Sequence, residues 1–236
     1  MRRPARGYRI LVPFEPRLID VAVPDEPDGA VLVLHGGAAR GTPMAVSPTQ
    51  LSVVRMVPIA KRAARVGRGR LAVFRLLNSQ RGWNQEHTPV DDAIWALGRI
   101  AERLGGAVPT CLIGHSLGGR AALFAAGHPA VRSAVALAPW VYASDDPPGV
   151  AGRRVLVVHG AEDRIARPEP SARVARRMAR TADVAFVTVE GGKHAMLRHH
   201  NRFDGLAADF ARATLLGEPA DGVLARVDAG ESWVTV

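Results

Sequence analysis

Short apolar runs recur along this chain, with amphipathic stretches between them. Ala30–Leu34, Leu71–Leu76, Thr110–Ile113, Ser133–Leu137, Val155–Val158 and Val184–Val189 are each apolar almost without a break. Runs of that kind suit strands buried on both faces, as in a parallel sheet. Two earlier runs, Tyr8–Phe14 and Leu18–Val23, flank Glu15-Pro16-Arg17, a spacing that predicts an antiparallel hairpin. Among the later strands, Val90, Ile94, Leu97, Ala101 and Leu104 mark the inner stripe of a helix that Gly105-Gly106 ends. Further helices are predicted over Pro168–Arg180, with Pro168 in the first turn, and over Asn201–Leu216, with Phe203, Leu206, Phe210 and Ala213 inward. The basic stretch Lys61–Arg70 reads as the end of another helix, where cations suit the dipole. Strand–helix alternation predicts a doubly wound, mostly parallel eight-stranded sheet with helices on both faces and right-handed crossovers. Asp145–Gly149 is a loop, and residues 217–236 form a C-terminal tail with no assigned packing.

Composition narrows this picture. The 236 residues, 47% hydrophobic and 22% charged, fit one α/β domain over residues 1–236, with its core at about 8–216. No run of about 18 apolar residues occurs, so no membrane span is expected. Arg2-Arg3 is followed by only Ile10-Leu11-Val12 before Pro13, too little for a signal-peptide core or a twin-arginine signal. The single cysteine, Cys111, sits in an apolar strand, excludes an internal disulfide and suits a reducing cytoplasm. The formal net charge is +9, yet only Lys61 and Lys193 of the 31 basic residues are lysines. The arginines are spread along the chain, a compositional bias rather than a nucleic-acid footprint. No H-E-x-x-H, no zinc-spaced Cys/His set and no phosphate-binding G-x-x-x-x-G-K-[ST] is present, which argues against zinc-protease and P-loop chemistry.

The candidate chemistry begins at Gly114-His115-Ser116-Leu117-Gly118, which reads G-x-S-x-G. An apolar strand runs into it and a helix of small residues, starting at Gly119, runs out. A sharp strand-to-helix turn strains the central Ser, and side chains two residues before and after it would strike neighbouring backbone. Glycine at both places removes the collision. The helix N-terminus then aims free N–H groups at the hydroxyl, where an oxyanion would form.

A serine hydroxyl needs a histidine base, and the base needs a carboxylate to fix its tautomer. On such a sheet the chain order is Ser, then Asp or Glu, then His. Asp163 follows the Val155–Val158 strand in the polar turn His159–Arg164, 47 residues after Ser116, with Glu162 the adjacent competitor. His194 ends the glycine-rich loop Glu190–His194, 31 residues after Asp163. His199 and His200 compete, but they open or precede the last helix and read as solvated. The oxyanion donors are the N–H of Leu117 and an N–H from His35-Gly36-Gly37-Ala38, either Gly37 or Ala38, with His35 structural. Loops at the strand C-terminal ends offer Met44, Trp83, Trp140, Tyr142 and Met196 as substrate-binding wall or as ordinary core.

On His35-Gly36-Gly37, Gly114–Gly119, Gly160–Asp163 and Gly192-Lys193-His194, taken in that order, the chain resembles the α/β-hydrolase-fold serine hydrolases over residues about 8 to 216. The resemblance implies no metal or cofactor and a small-molecule acyl substrate. Only about Pro139–Arg154 lies where many members carry a cap domain, which implies a capless, dienelactone-hydrolase-like or small-esterase member with an open site. The expected activity is hydrolysis of a small ester or thioester through an acyl-enzyme. Perhydrolysis, acyl transfer or C–C cleavage would use the same triad, and a non-catalytic ligand-binding relative is the non-enzymatic alternative.

Overall fold

The computed structural model describes residues 14–37, 44–83 and 88–236. In chain order the elements are β1 (Arg17–Ala22), β2 (Gly29–Leu34), α1 (Leu51–Val54), α2 (Met56–Gly67), β3 (Leu71–Leu77), α3 (Thr88–Arg103), β4 (Thr110–His115), α4 (Leu117–Ala125), β5 (Val131–Leu137), β6 (Arg154–Gly160), α5 (Pro168–Met178), β7 (Asp183–Val189), α6 (His200–Leu216), α7 (Gly222–Asp228) and β8 (Trp233–Thr235). They form one eight-stranded sheet in the order β1-β3-β2-β4-β5-β6-β7-β8. Only β1 runs antiparallel to its neighbour.

The apolar runs divide by parity, as a pleated strand requires. Ala30, Leu32 and Leu34 of β2 face a layer with α3, α4 and α5, which contribute Leu97, Leu123 and Val174. Val31 and Val33 face the opposite layer, where α2, α6 and α7 bring Ile59, Phe203 and Leu224. Both faces are covered, which is why these strands read as unbroken apolar runs. A fully buried side chain such as Phe74 contributes on the order of 1.5–3 kcal/mol by leaving water.

Chain order reverses direction between β2 and β4, the switch point of the sheet. Register pairs Leu34 with Gly114, His115 with Leu137, and Gly160 with Val189. The C-terminal ends of these strands therefore share one edge, and their following loops crowd together there. Residues 138–153, between β5 and β6, carry no helix or strand. They are held down by a bidentate Arg120–Asp145 pair, at 2.7 Å for both bonds, and by Arg177, which donates to the Ala143 and Asp145 carbonyls. No cap stands over the edge from this segment.

One expectation changes and one lies outside the described residues. The eighth strand is β8, at the far edge from β1, and it comes from the tail. Phe186 stacks on Trp233 at 4.9 Å, Val234 is buried, and α7 packs beneath. A three-residue strand is too short to stand out as a pattern. The proposed Tyr8–Phe14 strand and its hairpin fall outside the described residues, apart from Phe14 itself, which is exposed. Among the described residues no helix is long and apolar enough to cross a membrane.

Candidate active site

Ser116 occupies the turn between β4 and α4 with φ 55° and ψ −118°, a conformation L residues rarely adopt. Such a residue stores on the order of 1–3 kcal/mol of strain, offset by the surrounding structure. Here its N–H donates to the Leu137 carbonyl, and its own carbonyl accepts from the Arg120 and Trp140 N–H groups. The two flanking glycines are obligatory. A Cβ on Gly114 would lie 2.0 Å from the Gly118 carbonyl oxygen, and one on Gly118 would lie 2.4 Å from the Leu34 carbonyl oxygen.

Asp163 follows β6 and is 4% exposed. Its Oδ1 accepts the Ile165 and Ala166 N–H groups, each at 2.9 Å. Its Oδ2 accepts from His194 Nδ1 at 2.8 Å. Burial alone would raise this carboxyl, but the hydrogen bonds from His159 and His194, the His194 ring itself and the Ala166 N–H outweigh it and hold the group well below its ordinary range. Glu162, the sequence competitor, is exposed and lies 4.0 Å from the Lys193 ammonium, outside this cluster.

With Nδ1 donating to the carboxylate, His194 presents a bare Nε2 to Ser116 Oγ, 3.0 Å away. The structure thus brings Ser116, His194 and Asp163 into one hydrogen-bonded row, while His200 caps the Leu197 carbonyl and His199 begins α6. Four residues that the sequence reasoning did not single out steady this row. His115 donates Nε2–H to the carbonyl of His194 itself at 2.9 Å, and the two rings lie 5.0 Å apart. Burial first, then the neighbouring His194, pushes His115 down to about 3, so it stays neutral. Arg55, at the α1–α2 junction, donates Nε–H to the Ala195 carbonyl at 3.1 Å and pairs with buried Asp204 at 2.8 Å. His159 lies behind Asp163, with its Nε2 3.3 Å from Oδ2. His115 was legible as the second residue of G-x-S-x-G, and His159 as the residue opening the acid turn. Arg55 and Asp204 carry no local signal.

The loop after β2 runs against Ser116, where a Cβ on Gly36 would come within 3.0 Å of Ser116 Cβ. His35 holds that loop by donating Nδ1–H to the Gly36 carbonyl at 2.6 Å and accepting the Asn78 N–H at 3.1 Å. Leu117 opens α4, and Gly37, next to Gly36 in the loop after β2, has φ 149°. Ala38 lies outside the described residues. Among the wall residues, half-buried Trp140 sits directly beside Ser116 through its N–H, and exposed Tyr142 meets it edge-on at 5.1 Å. Met44 is exposed beside the short Ala45–Gln80 bridge. Trp83 stacks on the Arg120 guanidinium at 4.0 Å and edge-on against Phe124, a packing role on α4. Of the two readings of Met196, wall or core, the structure favours core and not substrate wall: at 1% exposure and φ 59° it packs in the α6-side layer.

A doubly wound sheet with a strand–serine–helix turn at its C-terminal edge defines the α/β-hydrolase class. The sequence matches the family described as the alpha/beta hydrolase family over residues 87–206, just over half of the chain, and the chain belongs to that family. The matched stretch holds Ser116, Asp163 and His194 but not the loop after β2. Solved structures share the architecture. A serine hydrolase without lid from Xanthomonas campestris is 17% identical with TM-score 0.62, covering 90% of this chain and 99% of its own. Est1E from Butyrivibrio proteoclasticus, solved with ferulic acid, is 14% identical with TM-score 0.63, covering 85% and 96%. A putative hydrolase from Agrobacterium tumefaciens is 16% identical with TM-score 0.63, covering 88% and 94%. No curated protein matches the sequence.

Proposed function

We propose that this chain is a serine acyl hydrolase that cleaves small esters or thioesters, with residues 1–236 working as one catalytic domain. The carrying observation is the row Asp163–His194–Ser116, with contacts of 2.8 and 3.0 Å. Ser116 Oγ attacks the acyl carbonyl as His194 Nε2 takes its proton, and Asp163 stabilises the imidazolium. Negative charge on the carbonyl oxygen falls to the N–H groups of Leu117 and of Gly37 or Ala38, each such donor worth about 2.7–4 kcal/mol in comparable sites. His194 returns the proton to the leaving alcohol or thiol, and the acyl group stays on Ser116. Water, deprotonated by His194, then attacks the acyl-enzyme and releases the acid. No cofactor takes part in these steps.

The uncapped segment 138–153 leaves the mouth open, and the Trp140–Tyr142 pair beside Ser116 offers an apolar wall to a small acyl group. Met44 is retained as an outer contact. Buried Cys111, whose thiol burial pushes up to about 12, is compatible with a reducing cytoplasm. The test is turnover of p-nitrophenyl acetate and labelling by a fluorophosphonate probe. Both are expected for the wild type and neither for Ser116→Ala. Undiminished turnover by a folded Ser116→Ala protein would end the proposal.

A further inference from the structure

His159 is the last residue but one of β6, four residues before Asp163, and takes no part in the steps above. Its side chain is fully buried and its ring lies parallel to Phe186 of β7, at 6.4 Å and 11°. Nε2 lies 2.7 Å from the Ala166 carbonyl oxygen. A carbonyl only accepts, so Nε2 carries the proton and Nδ1 is bare. That Nδ1 is buried without a hydrogen-bond partner among the described residues. Nε2 also lies 3.3 Å from Asp163 Oδ2, the oxygen that accepts from His194 at 2.8 Å. One carboxylate oxygen therefore faces two imidazoles.

We propose that His159 is a positioning residue of the triad, whose Nε2–H shares Asp163 Oδ2 with His194 and so aims the carboxylate and sets the basicity of His194. The inference rests on the reaction proposed above. A second donor on Oδ2 draws charge from the oxygen that faces His194, so an imidazolium there is held less tightly than by an unshared carboxylate. The His159 bond to the Ala166 carbonyl also closes the turn whose Ile165 and Ala166 N–H groups fix Oδ1. Among the described residues nothing else around His194 supplies this donor. His115 faces it from β4 as a neutral ring bonded to its carbonyl. Arg55 and Asp204, from the α1–α2 junction and α6, pair with each other. Lys193 and Glu162 form an exposed pair outside the row.

The test is the pH profile of kcat/KM for p-nitrophenyl acetate, whose acid limb reports the free enzyme's base. His159→Phe keeps the ring against Phe186 and removes the donor. His159→Gln places an amide Nε2 as many bonds from Cβ as the imidazole Nε2. The Phe variant is expected to lose about ten-fold in kcat with KM within about two-fold, and its acid limb is expected to rise by about half a pH unit. The Gln variant is expected to restore both. A folded Phe variant with an unmoved limb, or a Gln variant as impaired as Phe, overturns the inference. If the Phe protein does not fold, His159→Asn, whose amide falls short of Oδ2, replaces it: a limb raised in Asn but not in Gln supports the inference, and identical Asn and Gln profiles overturn it. Fluorophosphonate labelling of the wild type separates the two readings. Its absence sinks the serine-hydrolase reaction itself, whereas labelling with unmoved limbs sinks only the role of His159.

Discussion

Arg55 and Asp204 are 149 positions apart, and their side chains are 9% and 5% exposed. Replacing Arg55 by Met removes the guanidinium and leaves the Asp204 carboxylate desolvated against α2 without its partner. Breaking a buried pair in this way costs about 3–5 kcal/mol. For a chain of this size each kcal/mol moves the melting temperature by about 2–4 °C, so the variant is expected to melt roughly 6–20 °C below the wild type. Arg55→Met with Asp204→Leu removes both charges and is expected to return to within about 1–2 kcal/mol of the wild type. Activity is expected to part company with stability here. The Ala195 carbonyl, next to His194, loses the Arg55 Nε–H in both proteins. Displacement of His194 by a fraction of an ångström is expected to cut kcat for p-nitrophenyl acetate about 10–100-fold in the single and the double variant alike. Urea or thermal unfolding and steady-state kinetics on the same preparations decide the matter. A double variant that regains full activity together with stability would refute the idea that Arg55 steadies the base loop. A single variant less than about 1 kcal/mol below wild type would refute the buried-pair argument.

Three further outcomes follow from the same geometry. Ser116→Gly relieves the φ 55° strain and is expected to raise stability by about 1 kcal/mol while abolishing turnover; a lower melting temperature than Ser116→Ala contradicts the strain argument. His115, pushed down to about 3 when folded, binds a proton in the unfolded chain below its ordinary value of about 6.5 but not in the folded one, so stability falls with pH in that window. His115→Gln keeps a donor for the His194 carbonyl and is expected to lose about 2 kcal/mol less than wild type between pH 8 and pH 5; equal losses in urea titrations would sink this. Asp163→Asn is expected to lower kcat about 10⁴-fold. Because the Asp163 carboxyl is held below its ordinary range, its contribution to stability is present above about pH 4 and is lost on further acidification, so the wild type should shed more stability below pH 4 than the Asn variant. Parallel acid-unfolding curves would count against it.

Most of the central architecture was legible because burial on both faces writes itself as unbroken apolar runs. Ala30–Leu34 and Val184–Val189 fall on β2 and β7 within a residue for that reason. Ser116, Asp163 and His194 were legible because each sits where a strand ends and glycines begin, a signal confined to a few neighbouring letters. β8 was not, since Trp233–Thr235 gains its conformation from β7 and from the ring of Phe186 rather than from its own pattern. Met196 was open between wall and core because an apolar residue two places after a loop histidine looks the same either way; only the fold, which buries it at φ 59°, decides for core. Arg55 was illegible in a chain where arginine is everywhere; only the fold shows that it meets Asp204 and the Ala195 carbonyl.

The precision of the row Asp163–His194–Ser116 comes from backbone seams more than from the three side chains. The nucleophile turn closes on itself and on β2 so tightly that a methyl at Gly114 or Gly118 would overlap carbonyl groups. The acid and base loops meet in the same way, with a Cβ on Gly160 falling 2.3 Å from the Gly192 carbonyl oxygen. These seams fix the separation of the three loops to within what a hydrogen bond tolerates. The side-chain ties of His115, Arg55 and His159 then need only settle rotation about that frame. The geometry of this row is therefore expected to be lost abruptly when a seam is opened and gradually when a tie is cut, because packed backbone has discrete arrangements while a single lost hydrogen bond shifts a population.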